Sequence, residues 1–135
     1  MKDLLILAFF ISFIIFLMSL SFYFYYITPL AQSSFQASTI VTRDTGGFDL
    51  NSTALTFGSI TLGGSSTRSI LVNNSYSFPI RVEPVIEGSI QDLISYDYLV
   101  IQPYQSASFS MTVFADLNKS LGKYIGNVSV RLFPA

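Results

Sequence analysis

The acidic side chains are the first candidates for chemistry, because the chain has no histidine and no cysteine. Their absence excludes Ser-His-Asp catalysis, thiolate nucleophiles and imidazole or thiolate metal ligands. A glycosidase needs only two carboxylates, about 5–10 Å apart. Beyond Asp3, the acidic residues are Asp44, Asp49, Glu83, Glu87, Asp92, Asp97 and Asp116. Any such set contains pairs at short spacing, so the pattern does not indicate catalysis and we expect a protein that is not an enzyme.

Two glycine-containing segments have some features of ligand-binding loops. Residues 44–49, Asp-Thr-Gly-Gly-Phe-Asp, lack the alternating oxygen ligands of an EF-hand. Residues 63–67, Gly-Gly-Ser-Ser-Thr, lack the lysine and the following helix of a phosphate-binding loop. The net charge of −1 supplies no basic surface for nucleic acid. We therefore expect no metal, no cofactor and no nucleic-acid partner.

Modification is a second kind of chemistry that the sequence indicates. Four of the five asparagines begin the Asn-x-Ser/Thr pattern of N-glycosylation. These candidates are Asn51, Asn73, Asn118 and Asn127. Turns rich in Ser and Thr also create the pattern by accident, which is the alternative explanation. Four such sites favour a glycoprotein whose folded part is exported.

Tyrosines are the remaining candidates for binding. Tyr96, Tyr98 and Tyr104 could form an exposed patch that binds a sugar or a protein, although strand propensity and core packing also explain them. Tyr124 lies between two glycines, just before an alternating run. A tyrosine there can donate a hydrogen bond back to the chain across a corner of a β-sandwich. We expect Tyr124 to be structural.

The elements that position these residues begin with an apolar segment. Residues 4–27 contain no charge, and sixteen of these twenty-four are Leu, Ile or Phe. A run of about eighteen or more apolar residues predicts a transmembrane helix. Phe22, Tyr23, Phe24, Tyr25 and Tyr26 have the composition of an aromatic belt at the membrane interface. Thr28 and Pro29 are expected to end the helix.

A cleaved signal peptide is the alternative for this segment. Its apolar region spans about 7–15 residues and ends in a site of small residues. Here the run is longer, and Pro29 stands where a small residue is required. Lys2 precedes the run and the next basic residue is Arg43, which favours a cytoplasmic N-terminus. We expect an uncleaved, single-pass anchor with the rest of the chain outside the cell.

The rest of the chain predicts an all-β domain. Residues 1–30 are assigned to the anchor, residues 31–47 to a polar tether in which Ile40 and Val41 could start an edge strand, and residues 48–135 to the β-domain. Apolar residues alternate with polar ones, as in Phe109, Met111 and Val113. Such alternation indicates sheets with one buried face, and turns every 8–15 residues favour an antiparallel sandwich of about seven strands. Residues 88–93 could form one short helical turn.

The strand and turn residues resemble those of a known family. The matching stretches are LTFGSITLG at 55–63, SSTRSILVNN at 65–74, FPI at 78–80, IQPYQSASF at 101–109 and GKYIGNV at 122–128. Together they resemble the immunoglobulin-like ASH and major-sperm-protein-type domains. Where that family has glycine after the proline, this chain has Tyr104. The resemblance implies an immunoglobulin-like β-sandwich that acts as a binding or scaffolding module.

These observations define two expectations for function. The first is a membrane-anchored, non-enzymatic sandwich that binds a partner in the envelope, the surface layer or a membrane complex. The combination of an N-terminal apolar helix with a β-sandwich also resembles archaeal cell-surface proteins. The alternative is therefore a pilin-like or archaellum-associated accessory subunit whose helix packs in an assembly, with homo-oligomers as one form of it. The expected partners are the lipid bilayer and one such protein.

Overall fold

The computed structural model describes residues 1–43 and 54–135. Helix α1, Lys2–Ile27, precedes eight strands in these described residues, and a short 3₁₀ turn, Ser89–Leu93, follows the fourth strand. The strands are β1 Ala31–Thr42, β2 Leu55–Thr61, β3 Ser65–Asn73, β4 Ile80–Gly88, β5 Ile94–Tyr96, β6 Leu99–Ile101, β7 Ser106–Phe114 and β8 Gly122–Pro134. An N-terminal helix followed by a β-sandwich is therefore the observed architecture, as the sequence predicts.

Helix α1 is apolar on every side. None of its residues is buried, and it is long and apolar enough to span a membrane. The backbone N–H of Thr28 donates to the carbonyl of Phe24 at 3.0 Å, and Thr28 itself is extended with ψ 122°. The residue before a proline is held out of the helical region by the proline ring. Pro29 therefore ends α1 at Ile27, where the sequence predicts the end.

Two sheets pack face to face. The larger sheet has the strand order β2-β1-β8-β4-β6 and the smaller one β3-β7-β5. All pairs are antiparallel except β1 with β2, which is parallel. A parallel pair needs a crossover of about a dozen residues. Twelve residues separate Thr42 from Leu55, so the chain between β1 and β2 is long enough for this pairing.

The prediction of a polar tether over residues 31–47 is corrected by strand β1. Residues 31–42 form a strand inside the larger sheet, paired with β8 along its length and with β2 from Ala37 onward. The sandwich therefore begins at residue 31 and not at 48. The inward positions of β1 include Ala37 and Thr39, which are small or polar, so the period-two pattern is weak in the sequence. The hydroxyl of buried Thr39 donates to the carbonyl of Gly58 at 2.9 Å, at a bulge in β2 where Gly58 has φ +76°.

The core lies between the sheets and comes from the alternating residues. Strand β7 contributes Phe109, Met111 and Val113, each at most 1% exposed. The other fully buried hydrophobic side chains, under 2% exposed, include Val41, Ile80, Val82, Ile90 and Val128. Ile90 belongs to the 3₁₀ turn, which covers one end of the core at the position where the sequence predicts a helical turn. Apolar burial of this kind supplies the main driving force for folding.

Candidate functional site

The strand directions define two ends of the sandwich, one that joins α1 and one that lies opposite it. The backbone N–H of Leu30 donates to the carbonyl of Leu132 at 2.7 Å, and β1 begins at the next residue. We call this end, with the loops 74–79 and 102–105, the anchor end. Strand β1 runs away from it, and the turn 62–64 and the connection 115–121 lie at the other end, which we call the far end. Only residues 28–30 separate α1 from the anchor end.

The far end exposes large apolar side chains. Leu117 is 72% exposed, Phe114 is 51% exposed and Leu121 is 47% exposed. We call these three residues the apolar tip. Asp116 and Lys119 lie between them in sequence, so the same connection also carries charged side chains. An apolar centre with a polar rim is the usual composition of a protein-binding surface.

Backbone hydrogen bonds hold the apolar tip in place. The N–H of Gly63 donates to the carbonyl of Ala115 at 2.6 Å, and the N–H of Ala115 donates to Gly64 at 3.1 Å. Gly63 has φ +78°, and a side chain there would come within 3.2 Å of Leu117. The turn between β2 and β3 therefore supports the connection between β7 and β8. The N–H of Lys119 donates to Asp116 at 2.9 Å and closes a turn within that connection.

Tyr124 fixes the other side of the apolar tip. Its hydroxyl donates to the carbonyl of Ser120 at 2.7 Å, four residues upstream. This is the corner hydrogen bond that the sequence predicts for Tyr124. Lys119 places its ammonium group 6.0 Å from the centre of the same ring. The role of Tyr124 is thus to hold the chain where it enters β8.

The candidate glycosylation sites lie at different levels of the sandwich. Asn51 falls outside the described residues, whereas Asn73, Asn118 and Asn127 are all exposed. Asn118 belongs to the apolar tip's own connection, and Asn127 lies on the central strand β8. Asn73 ends β3, and its side-chain oxygen accepts a hydrogen bond from the Ser106 hydroxyl at 3.0 Å. Exposure is compatible with modification at each of the three.

The three candidate surface tyrosines lie on separate elements. Tyr96 ends β5, and its ring centre is 6.0 Å from that of buried Phe109. Tyr98, 70% exposed, precedes β6, whereas Tyr104, 72% exposed, follows β6 in the loop at the anchor end. Tyr104 has φ +58°, a left-handed conformation that glycine adopts more easily. Tyrosine therefore occupies a backbone position that glycine would adopt without strain.

The aromatic residues assigned to the membrane interface occupy the last turns of α1. Phe22, Tyr23, Phe24, Tyr25 and Tyr26 are 42–65% exposed. The rings of Phe22 and Tyr26, one turn apart, have centres 4.7 Å apart. They end one residue before the helix does, which places them beside the anchor end of the sandwich.

Sequence reasoning missed Asn74, the buried residue of the Asn73-Asn74 pair. It is 0% exposed, and its side-chain NH₂ lies 2.9 Å from the carbonyl of Phe78 and 3.1 Å from those of Ile101 and Gln102. Buried carbonyls need such partners. One asparagine therefore ties the loop after β3 to the loop after β6.

The same residue also shapes its own loop. The side-chain oxygen of Asn74 accepts from the N–H of Tyr76 at 2.9 Å, which is an Asx-turn. Its backbone N–H donates to the carbonyl of Gln105 at 2.8 Å. The signal in the sequence is that Asn74 is the one asparagine of five that begins no glycosylation pattern. The partners of its NH₂ on Ile101 and Gln102 lie 27 and 28 residues away, so spacing alone does not reveal them.

The outer face of the smaller sheet is lined with hydroxyl groups. The Thr67 and Thr112 hydroxyl oxygens are 2.7 Å apart, and those of Ser69 and Ser110 are also 2.7 Å apart. We call the outward residues of β3, β7 and β5 the hydroxyl face: Ser65, Thr67, Ser69, Leu71, Asn73, Ser95, Ser106, Ser108, Ser110, Thr112 and Phe114. None of them is charged. The alternation of polar and apolar residues in β7 predicts the part of this face that β7 contributes. Only the pairing register between β3 and β7 shows that the β3 residues lie on the same face.

The acidic residues are dispersed over the described part of the chain. In residues 1–43 and 54–135, no group of three His, Cys, Asp or Glu side chains is placed to hold a metal ion. Arg81 and Glu83, two residues apart on β4, form an ion pair at 2.5 Å. Asp44 and Asp49 lie outside the described residues.

A scan against protein-family models, a search of curated proteins and a search of solved structures each gave no match to this chain. The fold and the surfaces described above are therefore the basis for a functional proposal.

Proposed function

We propose that this protein is a single-pass, membrane-anchored binding module whose β-sandwich holds a protein partner of the cell envelope or of a membrane complex at the apolar tip. The proposed role is non-enzymatic. The observation that carries it is the position of Phe114, Leu117 and Leu121, exposed at the end of the sandwich opposite α1.

The anchor is supported by the surface of α1. A helix that is apolar all round is stable only inside a large core or in lipid, and no residue of α1 is buried against the sandwich. Its 26 residues extend about 39 Å, more than the roughly 30 Å hydrocarbon core of a bilayer. Transfer into lipid covers this surface without any partner protein.

The apolar tip is supported by the free energy available there. Burying a Leu or Phe side chain fully stabilises a complex by about 1.5–3 kcal/mol. Since the three side chains are 47–72% exposed, covering them contributes roughly 2–5 kcal/mol. The hydrogen bonds between Gly63, Gly64 and Ala115 order the tip in advance, which lowers the entropy cost of binding.

We propose that the N-terminus is cytoplasmic and the sandwich extracellular. Lys2 before α1 and the exposed positions of Asn73, Asn118 and Asn127 support this orientation, and the same three are the proposed glycosylation sites. We further propose that the sandwich is of the ASH and major-sperm-protein type in an archaeal cell-surface protein. The bulge at Gly58, the turns at Gly63 and Tyr104 and the corner at Tyr124 support the fold type.

A pilin-like or archaellum-associated subunit is the second proposal. The observation that favours it is the aromatic surface of α1, in which Phe9 and Phe13 stack with centres 6.4 Å apart and both rings are about half exposed or more. Neighbouring helices could cover this surface as well as lipid does. Cross-linking from single cysteines along α1, in a chain with no native cysteine, would give ladders of oligomers in that case and only monomers for an isolated anchor.

The leading proposal is tested by a matched pair of substitutions. Leu117 and Leu71 are the same residue type with 72% and 76% exposure, but Leu71 lies on the hydroxyl face, toward the anchor-end half of β3. We expect Leu117→Ser to weaken cross-linking of the full chain to its partner in native membranes by about tenfold, and Leu71→Ser to leave it unchanged. Equal cross-linking by both variants would contradict the proposal.

A further inference from the structure

The short connection to α1 limits how far the anchor end can lie from the membrane. Residues 28–30 extend by at most about 11 Å, at roughly 3.6 Å per residue. The first of the described strands, β1, begins at Ala31 and pairs there with Leu132 of β8. If α1 crosses a bilayer, the anchor end therefore lies at the lipid surface.

The register of the larger sheet places Tyr104 at the same level. Ile80 of β4 pairs with Pro134 of β8 on one side and with Ile101 of β6 on the other. The end of β6 is thus level with the end of β8. Tyr104 follows Ile101 by three residues, so its loop extends past the sheet on the side where α1 leaves.

The loops at the anchor end carry no charged side chain. Residues 28–30, 74–79 and 102–105 read TPL, NSYSFP and QPYQ. Charged residues are the ones that resist partial transfer from water into the headgroup region, whereas the tyrosine ring is well suited to it. Tyr104 is the most exposed aromatic residue of the described sandwich, at 72%.

The loop that carries Tyr104 is held firmly. Asn74 bonds the carbonyl groups of Ile101 and Gln102, and the N–H of Gln105 donates to Gln102 at 3.2 Å across the turn. A tyrosine in the left-handed conformation, here at φ +58°, is strained relative to one in an ordinary conformation. The anchor end therefore keeps a tyrosine ring that is 72% exposed on a backbone position that favours glycine.

We propose that Tyr104 inserts its ring into the headgroup region of the bilayer that α1 crosses, as a second and non-covalent contact between the sandwich and the membrane. This inference rests on the proposed anchor. The occupant is a lipid surface and not a protein, because the loop is uncharged, carries a single exposed aromatic ring and lies at the end of the sandwich that residues 28–30 join to a membrane helix. Two contacts, α1 and Tyr104, hold the sandwich upright and direct the apolar tip away from the membrane.

The experiment uses the absence of tryptophan from the chain. Each variant of the chain then carries one tryptophan, and its emission is measured in phosphatidylcholine vesicles without bromine, with bromine on the upper acyl chains and with bromine near the ends of the acyl chains. Tyr104→Trp reports on the anchor end. Leu117→Trp is the matched control, because Leu117 is also 72% exposed but lies at the far end. Phe13→Trp reports on α1 itself, and Gln102→Trp is a second reporter on the same loop as Tyr104.

We expect blue-shifted emission and several-fold stronger quenching for Tyr104→Trp than for Leu117→Trp, with Gln102→Trp also quenched. Unquenched Tyr104→Trp and Gln102→Trp beside a quenched Phe13→Trp would overturn the inference and leave the anchor intact. Equal quenching at residues 104 and 117 would overturn it as well. An unquenched Phe13→Trp would reject the anchor, and with it the proposed function.

Discussion

The loops that close the anchor end of the sandwich differ in chemistry from those that close the far end. At the anchor end, residues 74–79 and 102–105 contain no charged side chain and are joined by buried Asn74. At the far end, residues 62–64 and 115–121 are joined by backbone hydrogen bonds, and the longer segment combines Asp116 and Lys119 with exposed leucines. At the anchor end, a buried side chain supplies hydrogen bonds to backbone carbonyl groups. At the far end, the leucine side chains are exposed to solvent.

This difference suggests that the anchor end contributes mainly to folding stability and the far end mainly to binding. The anchor end depends on one residue for several hydrogen bonds, so substitution there should affect folding. Leu117 and Leu121 have no hydrogen-bonding groups in their side chains and are 72% and 47% exposed, so they are available for binding. Substitutions at the two ends should therefore be distinguishable by unfolding measurements alone.

The largest effect is expected at Asn74. Asn74→Asp replaces the NH₂ group with a carboxylate oxygen facing the carbonyls of Phe78, Ile101 and Gln102. Buried groups left without partners cost about 1–3 kcal/mol and a buried charge costs more, so we expect the free energy of unfolding to fall by about 3 kcal/mol or more. Chemical denaturation of the full chain in detergent measures it.

Asn73→Asp is the control for that measurement. Asn73 is adjacent in sequence but exposed, and its oxygen already accepts a hydrogen bond, which a carboxylate also does. We expect a change within about 0.5 kcal/mol in unglycosylated protein. If the two variants were equally unstable, Asn74 would not be the residue that closes the anchor end.

A smaller loss is expected at the far end. Tyr124→Phe removes the hydroxyl that donates to Ser120 at 2.7 Å and leaves the ring in place. A hydrogen bond of this kind contributes about 1 kcal/mol, so the unfolding midpoint should fall moderately. Tyr98→Phe, at a side chain that is 70% exposed, should leave the midpoint unchanged. Equal midpoints for both variants would show that Tyr124 does not hold the apolar tip.

At Tyr104 the expected change has the opposite sign. Tyr104→Gly relieves the left-handed conformation at φ +58°, and we expect the free energy of unfolding to rise by up to about 1 kcal/mol. Tyr98→Gly, at a comparably exposed tyrosine without a positive φ, should lower it by about 0.5–1 kcal/mol. Calorimetry on both variants compares the signs. A destabilised Tyr104→Gly would mean that the ring has a packing role in the sandwich.

The regular elements were predictable from sequence because their signals are local. The uncharged run ending before Pro29 predicts α1, and the alternation around Phe109 and Val128 predicts β7 and β8. Strand β1 was not predictable as an inner strand, because Ala37 and Thr39 fill its inward positions. Their burial depends on the register with β8 and β2, which no local pattern contains.

The surfaces were less predictable than the strands for the same reason. Tyr124 was identified because its corner needs only residues four apart. Asn74 was missed because it joins loops that are distant in sequence. Leu117 and Leu121 were missed because they follow no period, and only the direction of the strands places them opposite α1. Contacts between residues that are close in sequence could be predicted, whereas the grouping of loops at each end of the sandwich depends on the strand topology.

The smallest effect is expected on the hydroxyl face, which runs between the two ends. Ser69 and Ser110 lie opposite each other on β3 and β7 with hydroxyl oxygens 2.7 Å apart. Cross-strand pairs of this type contribute roughly 0.2–1 kcal/mol. A double-mutant cycle with Ser69→Ala and Ser110→Ala should give a coupling energy in that range, measured by denaturation. A coupling of zero would mean that water satisfies both hydroxyls. The cross-strand pairs of the hydroxyl face would then not help to fix the anchor end relative to the far end, and core packing alone would position the two ends.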